Sequence, residues 1–242
     1  MYHPFSVAET IKTAWNIFKK NFVTIIVYSA ISFFLLSILA LLIQFLIPSE
    51  EFIGEMLVSM LLIFVQAYTT LGLYKLIFTV IDSEYYEFEY KQVLPTFKMV
   101  VSYIAVVFIL AFVLTNSRII VDKLDAYPNI QLAAISIAII LGLFLLLRIM
   151  FFNTFIVDDR SGPLESLKQS FQLTKGYFFK VLIILIIILV LIALPAKLAQ
   201  TYPVISIAIL FTYPFVNIIL AVTYRKLVYS HKDVDDDIAE TY

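Results

Sequence analysis

The segment 22–47 carries no charged side chain. A run of that length exceeds the ~20 mostly apolar residues an α-helix needs to cross a hydrocarbon core. Five further stretches are mostly apolar over a comparable length, each with one or two basic residues: 56–81, 97–115, 130–157, 177–194 and 204–228. Within lipid every backbone N–H and C=O must be satisfied internally, which leaves helices or a closed barrel. These runs are continuous rather than alternating, so they predict helices. The expected fold is all-α: a polytopic membrane bundle of about six transmembrane helices. The third span is the least sharply bounded, because Ile119 to Val121 prolong it past Asn116 and Arg118.

Composition agrees. Apolar side chains make up 62% of the 242 residues and charged ones 14%, with a mean hydropathy of +0.98. Soluble domains are about half apolar and a quarter charged. The formal net charge of −1 supplies no basic field for nucleic acid. The absence of cysteine excludes disulfides, thiolate metal sites and cysteine nucleophiles. His3 and His231 lie near opposite ends of the chain, so they form no metal cluster and no cofactor is implied. The amphipathic stretch from Phe5 to Lys20, followed by an overlong apolar run, does not read as a cleavable leader.

The distribution of Lys and Arg sets orientation. Lys12, Lys19 and Lys20 precede the first span, Lys91 and Lys98 lie between the second and third, and Arg160, Lys168, Lys175 and Lys180 between the fourth and fifth. Arg225, Lys226 and Lys232 follow the last. The opposite side holds only Arg118, Lys123 and Lys197. The bias places both termini on the cytoplasmic side of a cell membrane.

Two connections on that side are patterned. Ser6-Val7-Ala8-Glu9 has the spacing of a capping box. Ala8, Ile11, Trp15 and Phe18 then recur on one helical face, opposite Glu9, Lys12, Asn16 and Lys19. A helix lying in the membrane interface is expected, with Trp15 at headgroup level. Between Gly162 and Gly176, Pro163 suits a first helical turn and Gly176 a C-terminal stop. There Leu164, Leu167 and Phe171 form the apolar face.

The two segments align in constant register, with Glu9 on Glu165, Lys12 on Lys168, Lys19 on Lys175 and Phe22 on Phe178. We read this as an internal repeat of three units, 5–82, 83–160 and 161–229, each an interfacial helix followed by a two-span hairpin. The middle unit, near Glu84 to Pro95, is diverged or coincidental. All units would enter from one side, as parallel repeats do. The acidic tail 230–242, with Asp233 to Asp237, is expected to be disordered.

The stretch from Arg148 to Lys180 places an arginine in a span, an acidic turn at Asp158, and then Gly162, Pro163, Glu165, Leu167, Lys168, Ser170, Leu173, Thr174, Lys175 and Gly176 in a helix. It resembles the membrane domain fused to some bacterial glycerophosphodiester phosphodiesterases, and the stand-alone YciC-like integral membrane proteins. Ser166 stands where that pattern has alanine. The match covers about a seventh of the chain. It implies a multi-span bundle of poorly defined role, and nothing here corresponds to the soluble catalytic barrel of the fused members.

Several residues stand out as sites. Arg148 lies ten residues before Asp158, about 15 Å along a helix. Snorkelling or a structural pair is one reading, and contact with a substrate or lipid phosphate is the other. Lys75 reaches the interface more easily and reads as snorkelling. Gln44, Gln66, Asn153 and Asn217 suit interhelical hydrogen bonds. Ala134, Ala138 and Gly142 form a small-residue stripe, which predicts close helix packing and a central fourth span. Pro214, after Tyr213, predicts a kink in the sixth span. Asp158, Asp159 and the acidic tail default to solvated charge.

No H-E-x-x-H, G-x-S-x-G, P-loop or G-x-G-x-x-G motif is present. The reading is therefore an accessory, scaffold or partner-binding membrane subunit, with the bilayer and a membrane protein or second copy as partners. The alternatives are a transporter, or its membrane subunit, and a protein acting on lipid headgroups.

Overall fold

The computed structural model describes residues 5–46, 52–82 and 90–239, with the side chains of Gln44, Leu46, Phe52, Ile53, Glu55, Tyr90 and 231–239 outside that description. His3 and the segment from Glu84 to Glu89 fall outside the described residues, as do the side chains of Asp233 to Asp237. Among the described residues the regular structure is helical throughout. Six helices are long and apolar enough to cross a membrane, so the protein is a multi-pass membrane protein with an all-α bundle.

Helix α1 (Val7–Lys20) leads through Asn21 into α2 (Phe22–Leu46) and α3 (Phe52–Asp82). A short α4 (Tyr90–Val93) precedes α5 (Phe97–Asp122) and α6 (Pro128–Ile149). Then come α7 (Phe152–Asp158), α8 (Pro163–Leu173), α9 (Phe178–Thr201), a 3₁₀ turn (Pro203–Ala208) and α10 (Ile209–Ala239).

Three boundaries differ from the sequence reading. The third span runs on through Ile119–Val121 to Asp122, because nothing in Asn116-Ser117-Arg118 stops a helix. Asn116 and Ser117 instead return their side chains to the carbonyls of Phe112 and Val113. The fourth span stops at Ile149 and restarts at Phe152. The sixth continues past the membrane segment, with α10 running on to Ala239. Pro214, where a kink is expected, lies inside α10. It lies near the start of the helix, where only the Leu210 carbonyl loses its i+4 donor.

Packing is uneven along the spans. Tyr74 and Ile77 of α3, Val100 and Val106 of α5, Ile184 of α9 and Ile218 and Tyr224 of α10 are buried. All belong to the end of the bundle that carries α1, α7 and α8. Toward the far end Phe33, Ile38, Leu41, Phe112, Leu114 and Ile140 are each more than half exposed. Such surface is normal where the neighbouring solvent is hydrocarbon, because lipid tails are as apolar as leucine.

Each hairpin, α2–α3, α5–α6 and α9–α10, packs on the next: α3 on α5, α6 on α9, and α10 back on α2. The short elements lie over the same seams, α4 on α3, α8 on α6 and α7, and α1 on α10. Helices α3, α7 and α10 meet one another at the middle. Lys226 on α10 pairs with Glu9 on α1 at 3.1 Å, which brings the first and last helices together.

The buried faces of α1 and α8 are set one residue off the apolar stripes read from sequence. Helix α1 buries Thr10, Ala14 and Phe18, while Trp15 is 46% exposed. Helix α8 buries Ser166, Ser170 and Leu173, with Leu167 partly buried. Leu164 and Phe171 are 70% and 46% exposed. Small side chains allow close approach to the neighbouring helices, and the bulky ones turn outward. The Ser6 capping box does not form, because Glu9 is engaged by Lys226. On α8 half of such a box is present: the Gly162 N–H donates to the Glu165 carboxylate at 3.2 Å.

Candidate functional site

Two carboxylates end their helices at the same place. Asp82 is the last residue of α3 and Asp158 the last of α7. A helix C-terminus carries partial negative charge, so each carboxylate sits where it is electrostatically disfavoured. Arg225 of α10 enters between them. Its Nη2 lies 2.8 Å from Asp82 Oδ2 and 3.3 Å from Asp158 Oδ1. The Tyr224 hydroxyl donates to the other Asp158 oxygen at 2.8 Å. The guanidinium stacks over Phe78 at 4.9 Å, and Tyr224 meets Phe155 edge-on at 5.0 Å.

Beside this junction is a cavity of about 320 Å³, lined by Lys75, Phe78, Thr79, Asp82, Gln92, Val157 and Asp158. Lys75 Nζ donates to the Leu94 carbonyl at 2.8 Å, tying α3 to the segment after α4. Lys75 and Asp158, both singled out in the sequence, therefore share one site.

Arg148 belongs elsewhere. It closes α6, and its Nη1 donates to Thr174 Oγ1 at 3.0 Å. Its guanidinium faces the rings of Phe171, Phe144 and Phe178 at 4.9, 5.3 and 5.8 Å. Asp158, ten residues further on, is engaged by Arg225 and Tyr224.

The interruption after Arg148 has an identifiable cause. Ser170 Oγ donates to the Arg148 carbonyl at 2.8 Å and accepts from the Phe151 N–H at 3.1 Å. A side chain from α8 thus inserts into the hydrogen-bond ladder between α6 and α7, one of the recognised origins of a helix break. No proline or glycine marks the place.

A second cavity, about 230 Å³, lies between α2, α3 and α10. Its polar lining is Tyr28, Ser29, Ser32, Gln66, Thr69, Thr70 and Tyr213. Tyr28 donates to the Thr69 carbonyl at 3.0 Å, and the Thr70 and Tyr213 hydroxyls share a hydrogen bond of 3.2 Å. Ser29 Oγ is buried without a partner. Gln66 precedes the end of α3 by about four turns, some 24 Å, so these groups sit deep within the span. Asn217 returns its amide to the Tyr213 carbonyl at 2.8 Å within α10.

The Ala134-Ala138-Gly142 stripe is not a seam within this chain. A Cβ added at Gly142 would meet nothing within 4 Å. Leu147 is the only buried residue of α6, so the fourth span is peripheral rather than central. All three stripe positions are partly exposed, and at Gly142 no neighbouring atom fills the groove.

Chemically, the Arg225 junction holds charge in place: one cation between two carboxylates, with a phenol closing the fourth position. Compared with known protein families, curated proteins and solved structures, the chain matches none.

The sequence pointed to Asp158 and Lys75 but missed Arg225, which counted only toward orientation, and Asp82. A usable signal was present. Asp82 ends the second helix of one hairpin and Asp158 the short α7 that follows another, and at a helix C-terminus a carboxylate needs a cation.

Proposed function

We propose that the protein is a membrane-embedded scaffold, a subunit that packs against another membrane protein or a second copy, rather than an enzyme. The observation that carries this reading is the polarity of its packing. The end bearing α1, α7 and α8 is closed by buried side chains and the Arg225 junction, whereas the far halves of α2, α5 and α6 have little protein against them. The open Ala134–Gly142 stripe on α6 adds a surface shaped for close approach of a helix.

The same reading takes the chain as three parallel units with a cyclic arrangement. Three relationships support it. Each short helix lies on the second span of the unit before it: α4 on α3, α8 on α6 and α7, and α1 on α10. Thr10, Ala14 and Phe18 are buried at the positions where Ser166, Ser170 and Thr174 are buried. Trp15 and Phe171 are outward at matching positions. In this scheme α1 and α8 are amphipathic helices at the cytoplasmic face of a bacterial cell membrane, as the charge bias argues. Kinship with the YciC-like membrane proteins is part of the proposal. Its support is local: the Gly162–Gly176 segment forms the helix that the shared pattern describes, with Pro163 in its first turn and Gly176 at φ +90° after its end.

Native mass spectrometry of protein extracted from its own membranes in mild detergent tests the scaffold reading. A stoichiometric protein partner or a dimer is the expected result. A lone chain, with all membrane complexes unchanged when the protein is deleted, refutes it.

The deep hydroxyl-lined cavity favours a second reading, the membrane part of a transporter. Solute flux in proteoliposomes that falls when Thr70 is changed to valine would replace the scaffold reading with this one.

A further inference from the structure

Arg148 has unmet donors and no counter-charge. A guanidinium carries five N–H groups. One is given to Thr174, and Nε is buried without any acceptor. Among the described residues no carboxylate forms an ion pair with it. Three phenyl rings attract the cation but do not neutralise it. The C-terminal carbonyls of α6 offset roughly half a charge. A charged group in apolar surroundings calls for an anion.

Position narrows the class of anion. The guanidinium lies against Phe178, the first residue of α9, and the turns after Lys180 are apolar as far as Lys197. Arg148 therefore sits where a span begins, at the depth of lipid headgroups. It is also at the rim of the bundle. Phe144 and Phe171 are 39% and 46% exposed, so two walls of the cage open outward. Lys175 follows Thr174 directly and is exposed, as is Lys168, one turn before Phe171.

We propose that Arg148, oriented by Thr174 within the cage of Phe144, Phe171 and Phe178, forms a phosphate site whose occupant is the headgroup of an anionic phospholipid. The planar guanidinium matches the oxygens of a phosphate and binds them as a fork. Surrounding rings exclude water and strengthen that contact. This goes beyond the scaffold reading and does not depend on it.

The experiment uses the full chain in detergent, titrated with phosphatidylglycerol, phosphatidylcholine or inorganic phosphate and read by native mass spectrometry. One tightly held phosphatidylglycerol per chain is expected, with phosphatidylcholine held far more weakly. Arg148→Gln should lower the affinity about tenfold or more, and Arg148→Lys should recover part of it. Inorganic phosphate competing as well as the lipid would overturn the lipid source and leave a free-phosphate site. Equal binding by wild type and Arg148→Gln would overturn the site itself.

A second measurement needs no variant. Phenylglyoxal modification of Arg148, mapped by peptide mass in the wild-type protein, should slow about tenfold with phosphatidylglycerol bound and not with phosphatidylcholine. Unchanged modification with bound lipid would overturn the proposal.

Discussion

Arg225 Nη2 meets Asp82 Oδ2 at 2.8 Å and so joins two helices that are 143 residues apart in the chain. The same nitrogen lies 3.3 Å from Asp158 Oδ1 on a third helix. One side chain thus ties α3, α7 and α10 at the middle of the bundle. Removing it leaves two carboxylates, each at a helix C-terminus, facing each other without a cation.

Arg225→Met is therefore expected to destabilise the protein by about 2 kcal/mol. Breaking a fully buried pair costs ~3–5 kcal/mol. The smaller figure applies because the Asp82 side chain is 58% exposed and partly screened. Thermal unfolding in detergent should show a lowered midpoint. Adding Asp158→Asn to Arg225→Met should recover part of the loss, since it removes one of the two unpaired charges.

Ser170→Ala tests the stitch between α6 and α7. The hydroxyl serves the Arg148 carbonyl and the Phe151 N–H at once, and Ser170 is fully buried. Deleting it strands a donor and an acceptor, at a cost of about 1–3 kcal/mol. Hydrogen exchange at the Phe151 amide should accelerate, while exchange in α10 stays near wild type. Unchanged exchange at Phe151 would mean that the break is held by something other than Ser170.

These two sites show what a sequence of this kind makes legible. The spans could be read because an apolar run of bilayer length has one stable outcome, a helix. The burial of α1 and α8 could be read only to within one residue. Hydropathy marks Trp15, Leu164 and Phe171 as the apolar face expected in the membrane interface, whereas the face packed on neighbouring helices carries Thr10, Ala14, Ser166 and Ser170, whose small or polar side chains hydropathy does not rank. The end of the fourth span was not legible at all. A serine 19 residues further on, rather than any local breaker, interrupts the helix before Phe151. Of the candidate site, Asp158 and Lys75 were visible as charges near span ends. Their neighbour Arg225 was not, because an arginine after the last span is equally well explained by topology.

Gly72 should not tolerate a methyl group. A Cβ there would lie 2.1 Å from the Tyr28 hydroxyl oxygen. Tyr28 crosses from α2 over Gly72 and donates to the Thr69 carbonyl, so the glycine is the gap that admits it. Gly72→Ala must displace the ring and break that bond, which is expected to cost about 1–3 kcal/mol. Tyr28→Phe removes the clashing oxygen and should restore most of the stability of Gly72→Ala. Additive losses in the double variant would place the clash elsewhere.

Sidedness can be tested without a background, because the chain has no cysteine and each single substitution supplies the only thiol. Lys12→Cys on α1 and Lys168→Cys on α8 occupy matching positions in the proposed first and third units. Both are exposed, as are Lys123 and Lys197 near the opposite ends of α5 and α9. A membrane-impermeant maleimide should label Lys12→Cys and Lys168→Cys only in inverted vesicles. Lys123→Cys and Lys197→Cys should be labelled only in vesicles of native orientation. These outcomes follow from the proposed orientation, in which the cationic excess on the α1 and α8 side faces the cytoplasm. Labelling of Lys12→Cys and Lys168→Cys from opposite sides would exclude parallel units. Labelling of both from outside would keep the repeat and reverse the orientation.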